Sequence, residues 1–473
     1  MDPGLNTIPP GARRVHLIGV CGTAMGALAC LLKDLGCEVS GSDQKIYPPM
    51  SDFLAGRGIR ILEGFRPENL AQRPDLVVVG NVIPRSNPEA LELARLRLAY
   101  CSMPQAIRHF AAAGKHTLMV VGTHGKTTTC ALLAWILEAA GRRPSFVIGG
   151  ILKNFGRNYG IGAGDHIVLE GDEYDTAFFD KGPKFLHYTP QATVITGVEF
   201  DHADIYRDLA HVKSAFRRLA QGLPAESLLA AWDEDANVSE VINATPASVQ
   251  RYGRRQDSPW RLDGVKIEPP WTIFGVLKQG QPFGRFRTRL IGAHNLLNAL
   301  AAIAVADHIA VPAASIAAAL ESFEGVKRRQ EIRGERRGVT VMDDFAHHPT
   351  AVRETLAAVR SSFPGRRIVA VFEPRTNTSM RKVFQAVYPA AFDAADLVLI
   401  RRPSMLEKVP EPERFSSEAL AAALAARGKP ARFFADTGAI IDHLVHIAAP
   451  GDVVVIMSNG GFDHIHERLL DAL

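Results

Sequence analysis

A glycine-rich segment, residues 122–129, reads G-T-H-G-K-T-T-T and has the residue types of a phosphate-binding loop. A strand-like apolar run precedes it, and the amphipathic run 127–140 predicts a helix. Glycines let backbone N–H groups approach phosphates, and a helix N-terminus adds a favourable dipole. We therefore predict an ATP site, with Lys126 on phosphate oxygens and the Thr127 hydroxyl on Mg²⁺. Val120 stands where the usual Walker pattern has glycine, and a purely structural turn is the alternative.

Acidic residues follow the next two strand-like runs. Glu170-Gly-Asp-Glu173 comes after the run 167–169, and Glu199-Phe-Asp-His202 comes after the run 193–196. The carboxyl ends of parallel strands share one edge of a sheet, so both clusters are expected beside the phosphate loop. Oxygen and imidazole ligands can fix Mg²⁺ against ATP, and we predict Glu173 and His202 as metal ligands. Helix capping by the carboxylates and a structural role for the histidine are the alternatives.

A second glycine cluster lies near the N-terminus, with Gly19, Gly22 and Gly26 in the spacing G-x-x-G-x-x-x-G. It stands between a strand-like run and a helical run, and Asp43 follows the second strand-like run. The order G-x-G-x-x-G is absent, which disfavours a nicotinamide cofactor. Glycines at a helix start still suit a diphosphate, so we predict a nucleotide-diphosphate substrate here. Close strand-to-helix packing is the structural alternative.

Three later segments place polar groups where ligands gather. Asn295 and Asn298 lie three residues apart on one helix face, where their amides could pair with an adenine edge or cap the helix. The segment 343–349 follows a strand-like run and precedes a helical run, which is again a strand-end position. Arg375 follows the next strand-like run and could bind a carboxylate bidentately or form a surface salt bridge.

The elements that would position these groups are strand-like runs alternating with helical runs, which predict an α/β fold with parallel sheets. At 473 residues the chain exceeds what one hydrophobic core usually supports. We predict three domains, at residues 1–112, 113–325 and 326–473. Residues 224–290 contain short runs broken by glycine and proline, which predicts a small antiparallel sheet.

The composition is that of an ordinary globular protein, with 47% hydrophobic and 22% charged residues. No apolar run approaches the ~20 residues that span a bilayer, so we expect no membrane association. The five cysteines form no C-x-x-C pair, which is typical of thiols in a reducing cytoplasm. The net charge is +4 without a long basic block, and we expect no nucleic-acid partner.

These motifs resemble those of the Mur ligases of peptidoglycan synthesis, whose signature G-T-x-G-K-T-T-T corresponds to residues 122–129. The resemblance covers nearly the whole chain and implies Rossmann-like first and last domains flanking a phosphate-loop ATPase-like central domain. It looks like the branch that acts on UDP-N-acetylmuramate, because counterparts occur in order at 172–175, 199–204, 292–295 and 343–349. Other segments look more like members that add a tripeptide than members that add L-alanine: 19–23, 47–50, 178–181, 345–349, 373–377 and 457–462.

The resemblance also implies roles for individual residues. The first domain would hold the UDP moiety, the second ATP and Mg²⁺, and the third the amine-bearing acceptor. Residues implied in catalysis or metal binding are Lys126, Thr127, Glu173, His202 and His347. Residues implied in ATP binding are Gly122, Thr123, Gly125, Lys126, Thr127, Thr128, His294, Asn295, Asn298 and Asp344. Residues implied in substrate binding are Gly22, Thr23, Ser42, Asp43, Asn81, His124, Arg329, His348, Arg375 and Asn377.

The implied reaction is ATP-dependent amide formation through an acyl phosphate. It would join UDP-N-acetylmuramate to the tripeptide L-alanyl-γ-D-glutamyl-meso-diaminopimelate, with L-alanine as the alternative acceptor. A nicotinamide dehydrogenase would leave Lys126 without a role. A non-catalytic nucleotide-binding module would not need Lys126 and Thr127 together with Glu173 and His202. The sequence leaves open whether the protein is a monomer or a dimer.

Overall fold

The computed structural model describes residues 1–44, 46 and 50–473. Tyr47, Pro48 and Pro49 of the motif at 47–50 therefore lie outside the described residues. The chain divides into two compact units. The first unit comprises Met1–Val198, Lys213–Tyr252 and Ala301–Ala319, and the second comprises Glu199–Val212, Gly253–Leu300 and Leu320–Leu473. The predicted domain boundaries near residues 112 and 325 stay predictions.

The first unit begins with a parallel sheet whose strands pair in the order β3-β2-β1-β4-β5. Val77, Val78 and Val79 are fully buried, as expected for a strand with a covered face on each side. The strands are β1 (Arg14–Ile18), β2 (Glu38–Asp43), β3 (Arg60–Glu63), β4 (Leu76–Val79) and β5 (Tyr100–Ser102). The helices are α1 (Thr23–Asp34), α2 (Met50–Gly56), α3 (Pro88–Arg95) and α4 (Met103–Phe110).

The same unit continues with strands that pair in the order β14-β13-β12-β6-β9-β7-β8. Buried β6 pairs in parallel with β9 on one side and β12 on the other, so the carboxyl ends of these three strands share one edge. The strands are β6 (His116–Val121), β7 (Ser145–Leu152), β8 (Arg157–Gly160), β9 (His166–Glu170), β10 (Asp175–Ala177), β11 (Asp180–Pro183), β12 (Ala192–Ile195), β13 (Leu228–Trp232) and β14 (Ser248–Gly253). The helices are α5 (Lys126–Ala139), α7 (Ala236–Val241) and, from Lys213 onward, α6 (Leu209–Gln221).

The second unit contains an antiparallel meander and a mostly parallel sheet in the order β18-β19-β23-β20-β21-β22. The meander strands are β15 (Trp260–Glu268), β16 (Trp271–Lys278) and β17 (Gln281–Thr288). The sheet strands are β18 (Glu331–Arg336), β19 (Val339–Asp344), β20 (Ile368–Phe372), β21 (Leu397–Arg401), β22 (Ala431–Phe434) and β23 (Val453–Met457). Helix α8 (Ala293–His308) begins in the second unit and continues into the first from Ala301, and α9 (Ala313–Ser322) belongs to the first unit up to Ala319. The remaining helices of the second unit are α10 (Pro349–Ser362), α11 (Tyr388–Ala391), α12 (Ser417–Ala426), α13 (Thr437–Ile447) and α14 (Ile465–Ala472).

The α/β class with parallel sheets is confirmed, and one detail of the expectation is wrong. The antiparallel sheet predicted over residues 224–290 exists only from β15 to β17. Strands β13 and β14 instead extend the parallel sheet beside β12. The physical reason is burial, because the apolar residues Leu228 to Ala231 are fully covered and lie in the sheet interior. In the described part of the chain, the helices are all too short or too polar to cross a membrane.

An aromatic cluster fills one face of the sheet in the second unit. Phe372 on β20 packs against Tyr388 at a ring distance of 5.1 Å and against Phe392 at 5.5 Å. All three side chains are fully buried. This cluster supports the carboxyl end of β20, where the polar segment starting at residue 373 begins.

We expect Phe392→Ala to lower the free energy of unfolding by about 3–5 kcal/mol, because it removes a fully buried ring and leaves a cavity. The matched control is Phe433→Ala, at a side chain that is 42% exposed, which should change stability by less than about 0.5 kcal/mol. Urea denaturation followed by circular dichroism measures both. Equal effects of the two substitutions would contradict the assigned core.

Candidate active site

The phosphate loop has the backbone conformation that its glycines allow. Gly122 has φ +131° and Gly125 has φ +80°, both in the region that favours glycine. A Cβ on Gly122 would overlap with the Thr196 hydroxyl, so that position also has no room for a side chain. Gly125 caps α5, which begins at Lys126, and the Thr129 N–H donates to the Gly125 carbonyl at 3.0 Å. The helix start therefore directs its first N–H groups toward the loop.

Lys126 is held at the head of α5 by the loop and by carboxylates. Its ammonium donates to the Gly122 carbonyl at 2.6 Å and to the two Glu173 oxygens at 2.8 and 3.0 Å. Burial lowers the pKa of Lys126, but the charges of Glu173, Asp172 and Glu170 raise it, and the net pKa lies above the usual value. The side chain is thus a fixed cation at the phosphate loop.

Thr127 contacts a carboxylate that sequence reasoning did not select. Its hydroxyl donates to Glu170 Oε1 at 3.0 Å, and Glu170 Oε2 accepts from the Gly149 N–H at 2.7 Å. Glu173, the predicted metal ligand, lies instead in the ion pair with Lys126. The position of Glu170 as the last residue of β9, one strand away from β6, is the signal that could have identified it.

The remaining predicted loop residues lie where the sequence places them. The Thr123 N–H donates to the Gly197 carbonyl at 2.9 Å. The carbonyl of His124 accepts a hydrogen bond from the Thr196 hydroxyl. Thr128 is buried in the first turn of α5. Residues 123–128 thus lie against the carboxyl ends of β6 and β12.

The N-terminal glycine cluster forms the turn between β1 and α1, with Gly22 as N-cap and Thr23 as the first helical residue. Asp43 Oδ2 accepts from the Cys21 N–H at 2.9 Å, so this carboxylate holds the turn. Ser42 is fully buried, and its hydroxyl donates to the buried carboxylate of Glu89. The Ser42 carbonyl accepts from the Gly19 N–H at 2.8 Å.

Asn81 lies exposed after β4. Together with the turn after β1 and with Asp43, it belongs to the carboxyl edge of the first sheet. That edge is where an open α/β sheet binds ligands.

In the second unit, a histidine and carboxylate cluster surrounds Asp201. His202 has φ +56° and follows Asp201, whose Oδ1 accepts the His202 N–H at 2.7 Å. His347 Nε2 lies 3.6 Å from Asp201 Oδ2, and the Tyr388 hydroxyl donates to the His347 carbonyl at 2.5 Å. Burial raises the pKa of Asp201, but the His347 hydrogen bond and the neighbouring histidines lower it, and the net pKa lies well below the usual value.

His348 is the N-cap of α10. Its Nδ1 accepts from the Thr350 N–H at 3.2 Å, so its proton lies on Nε2, which donates to the Phe200 carbonyl at 3.2 Å. Nδ1 also lies 3.6 Å from Glu199 Oε2. These contacts bring the predicted His347 and His348 together with the Glu199 to His202 segment.

Asp344, in the second unit, is a buried carboxylate that holds two backbone N–H groups. It accepts from the Gln330 N–H and from the Ala346 N–H, both at 2.8 Å. Burial raises its pKa above the usual value. The Gln330 side chain in turn accepts from the Asn295 amide at 2.9 Å. Gln330 has no motif around it, so sequence reasoning missed it.

The predicted adenine residues form one hydrogen-bonded group at the start of α8. The Asn298 amide donates to Asn295 Oδ1 at 3.2 Å, and the His294 ring lies 3.5 Å from the Gln330 amide nitrogen. Asn295 and Asn298 are both buried. The Asn295 amide therefore holds Gln330, and the Asn298 amide holds Asn295.

The predicted acceptor residues also lie in the second unit. Arg329 stacks over the Phe345 ring at 4.7 Å. The Asn377 amide donates to Asp204 at 2.8 Å. Arg375 lies 3.6 Å from the fully buried Glu373 carboxylate. Arg375 is therefore partnered by a carboxylate within its own segment.

The fold and the loop define the class of the protein as an α/β phosphate-loop enzyme, and comparison with known proteins gives the family. Family models match residues 14–115 (Mur ligase family, catalytic domain), 120–306 (Mur ligase middle domain) and 328–460 (Mur ligase, glutamate ligase domain). The chain belongs to the Mur ligase family, and its fold is the three-domain Mur ligase architecture predicted from the sequence.

Among curated relatives, the Escherichia coli UDP-N-acetylmuramate–L-alanyl-γ-D-glutamyl-meso-2,6-diaminoheptandioate ligase is 40% identical over 97% of this chain and 98% of its own. A UDP-N-acetylmuramate–L-alanine ligase from Geotalea uraniireducens is 33% identical over 97% and 98%. The crystal structure of a murein peptide ligase from Psychrobacter arcticus matches with TM-score 0.73 and 33% identity, covering 98% of each chain.

A more distant likeness shows the fold alone. The MurF ligase from Thermotoga maritima, solved in complex with ADP, matches with TM-score 0.62 and 15% identity over 99% of this chain and 97% of that one.

We expect the stabilising effect of Asp201 to depend on pH. Its folded-state pKa is lowered, so its contribution is present above the unfolded value of about 4 and is lost as the pH falls below it. Asp201→Asn should lower the free energy of unfolding at pH 7 by about 1–3 kcal/mol. Urea titrations from pH 7 to pH 3 should show this difference narrowing below about pH 4.

Asp442→Asn, at an exposed position on α13, is the control and should change stability by less than about 0.5 kcal/mol. A difference between the wild type and Asp201→Asn that stayed constant over the whole pH range would contradict the assignment of a charged Asp201.

Proposed function

We propose that this protein joins UDP-N-acetylmuramate to L-alanyl-γ-D-glutamyl-meso-diaminopimelate, with ATP converted to ADP and phosphate. The observation that carries the proposal is the Lys126 ammonium, fixed at the head of α5 between the Gly122 carbonyl and Glu173. A buried cation on a glycine loop at a helix start is suited to the terminal phosphates of ATP. The identity of 40% to the Escherichia coli ligase supports the choice of substrates.

Three domains divide this work in the proposal. Residues 1–112 bind the UDP moiety, residues 113–325 bind ATP, and residues 326–473 bind the acceptor peptide. In the first domain, Gly22, Thr23, Asp43 and Asn81 line the carboxyl edge of the sheet and are assigned to the substrate, with His124 from the phosphate loop. We place the reaction in the cytoplasm, because the five cysteines form no C-x-x-C pair, which is typical of thiols in a reducing compartment.

Mg²⁺ fits the donor set beside the loop. Thr127 and Glu170 bring a hydroxyl and a carboxylate oxygen within 3.0 Å of each other, and Mg²⁺ prefers oxygen ligands. We assign Thr127, Glu173 and His202 to the metal, as the sequence predicts, and add Glu170 on the basis of its contact with Thr127. The bound cation supplies charge neutralisation for phosphoryl transfer.

The protein's own residues perform the remaining steps. Lys126 neutralises the charge that develops as the γ-phosphoryl group moves to the lactyl carboxylate, which gives an acyl phosphate and ADP. The amine of the acceptor then attacks the acyl carbon, the amide bond forms, phosphate leaves, and the amine gives up one proton. His347, held against Asp201, is assigned to phosphate, and Asp344 to ATP ribose. His294, Asn295 and Asn298 are assigned to the adenine side.

The acceptor side favours a substrate with several carboxylates. The tripeptide carries more carboxylates than L-alanine does. The guanidinium groups of Arg329 and Arg375 can bind such carboxylates bidentately. His348, in the motif 343–349, and Asn377, in the motif 373–377, are also assigned to the substrate. L-alanine remains the second candidate acceptor, because L-alanine ligases are also similar over the full length.

Phosphate release tests the acceptor directly. With UDP-N-acetylmuramate and ATP present, we expect the tripeptide to support release at a kcat/KM at least about 100-fold above that of free L-alanine, a difference of ~2.7 kcal/mol. L-alanyl-γ-D-glutamate, which lacks the third residue, is the intermediate control. Equal or faster turnover with L-alanine would establish the second candidate instead.

Lys126→Met should lower ATP-dependent phosphate release by about 100–1,000-fold, since one preorganised charge at the phosphates is lost. Lys33→Met, at an exposed position on α1, serves as the matched control and should retain wild-type turnover. Circular dichroism checks that both variants are folded. A folded Lys126→Met variant with full turnover would remove Lys126 from the mechanism.

A further inference from the structure

A buried carboxylate stands directly after β20 in the second unit. Glu373 is fully buried, and its Oε1 accepts from Arg401 Nη1 at 2.5 Å. Its Oε2 accepts from the Ser458 hydroxyl at 2.7 Å. The second guanidinium nitrogen of Arg401 donates to Asp463 at 2.6 Å, so Arg401 is neutralised on both sides. Glu373 is thus anchored in place by groups that are themselves held.

Arg375 is the second arginine on Glu373, and it differs from Arg401 in exposure. Its guanidinium lies 3.6 Å from Glu373 Oε1, and 28% of its side chain is exposed against 9% for Arg401. The negative charge of Glu373 is already balanced by Arg401, and Arg375 shares the same carboxylate. The exposed N–H groups of Arg375 are therefore suited to an additional anion from a ligand.

Gly460 forms the surface on which the Arg375 side chain lies. A Cβ on Gly460 would overlap with Cδ and Nε of Arg375 and would lie 2.6 Å from its Cζ. The backbone at this point is fixed, because Arg328 donates to the Gly460 carbonyl at 2.6 Å and the Gly460 N–H donates to Ser458 at 3.0 Å. Any side chain at residue 460 must displace the arginine and not the backbone.

The neighbouring glycine has no such contact. Gly461 has φ −75° and ψ −13°, values that any residue adopts, and a Cβ there would meet no atom within 4 Å in the described structure. Alanine at residue 461 therefore adds the same methyl group without reaching Arg375. The chain itself supplies a matched pair of adjacent positions.

We propose that Glu373 and Gly460 are positioning residues that hold Arg375 as the carboxylate-binding group for the acceptor. Glu373 fixes the guanidinium of Arg375, and the missing side chain of Gly460 leaves the space that the stem of Arg375 occupies. This inference rests on the proposed function, because it concerns the acceptor site of that reaction. The recognised chemistry is a carboxylate of the acceptor peptide, bound by a preorganised guanidinium.

The test compares Gly460→Ala with Gly461→Ala in the full-length protein. Gly460→Ala should raise the KM for the tripeptide by about 10–100-fold, which corresponds to one lost hydrogen bond to a charged group. The KM values for ATP and UDP-N-acetylmuramate should stay within about two-fold in both variants, and Gly461→Ala should match the wild type throughout. If the variant were partly unfolded, less enzyme would be active and the apparent kcat would fall. The KM for the tripeptide would not rise selectively.

A double-mutant cycle with Arg375→Gln shows whether the effect passes through the arginine. Once Arg375 is gone, adding Gly460→Ala should raise the tripeptide KM by less than about two-fold more. Additive effects would overturn the proposal. An increase in the KM for ATP in place of the tripeptide KM would also overturn it, because the anion on Arg375 would then be a nucleotide phosphate.

The outcome separates this inference from the proposed function. If the wild type releases no phosphate with the tripeptide, the proposed function itself is wrong. If the wild type turns over and Gly460→Ala behaves as Gly461→Ala does, only the positioning role is wrong.

Discussion

The ion pair between Lys126 and Glu173 at the head of α5 is the interaction on which the candidate site depends. It places a buried cation 2.6 Å from the Gly122 carbonyl, on a loop in which Gly122 and Gly125 have positive φ. The carboxylates that raise the pKa of Lys126 all come from the segment after β9. The parallel pairing of β6 with β9 therefore brings together the two halves of the site.

Buried carboxylates also hold polar side chains at the carboxyl edges of two other sheets. A fully buried carboxylate holds a polar group that lies at the carboxyl edge of a sheet: Glu89 holds Ser42, and Glu373 holds Arg375. Unpaired buried charge is costly, so each carboxylate restricts its partner to one position. Rigid placement of these two side chains is then a consequence of burial and not of the loops alone.

Sequence reasoning predicted the α/β class correctly, and it placed a glycine loop before a helix and polar residues at strand ends, because each is a local pattern. It missed Glu170, Gln330 and Glu373, whose roles arise from contacts with residues far away in the chain. Gln330, for example, meets Asp344 and Asn295 across separations of 14 and 35 residues. The antiparallel reading of β13 and β14 failed for a related reason. Glycine and proline in the neighbouring segments suggested turns, whereas β13 is buried and pairs in parallel with both β12 and β14.

Ser42 shows why a residue type and a strand-end position do not suffice to assign ligand contact. Its place after the glycine turn suits a substrate hydroxyl contact, yet its side chain is fully buried on Glu89. In the proposed reaction, the Lys126 ammonium turns from Glu173 to a phosphate, and the Glu173 carboxylate then needs another positive charge. A nucleotide that carried its own divalent cation would supply that charge, so under the proposed function the ion pair favours the metal-bound nucleotide over the free anion.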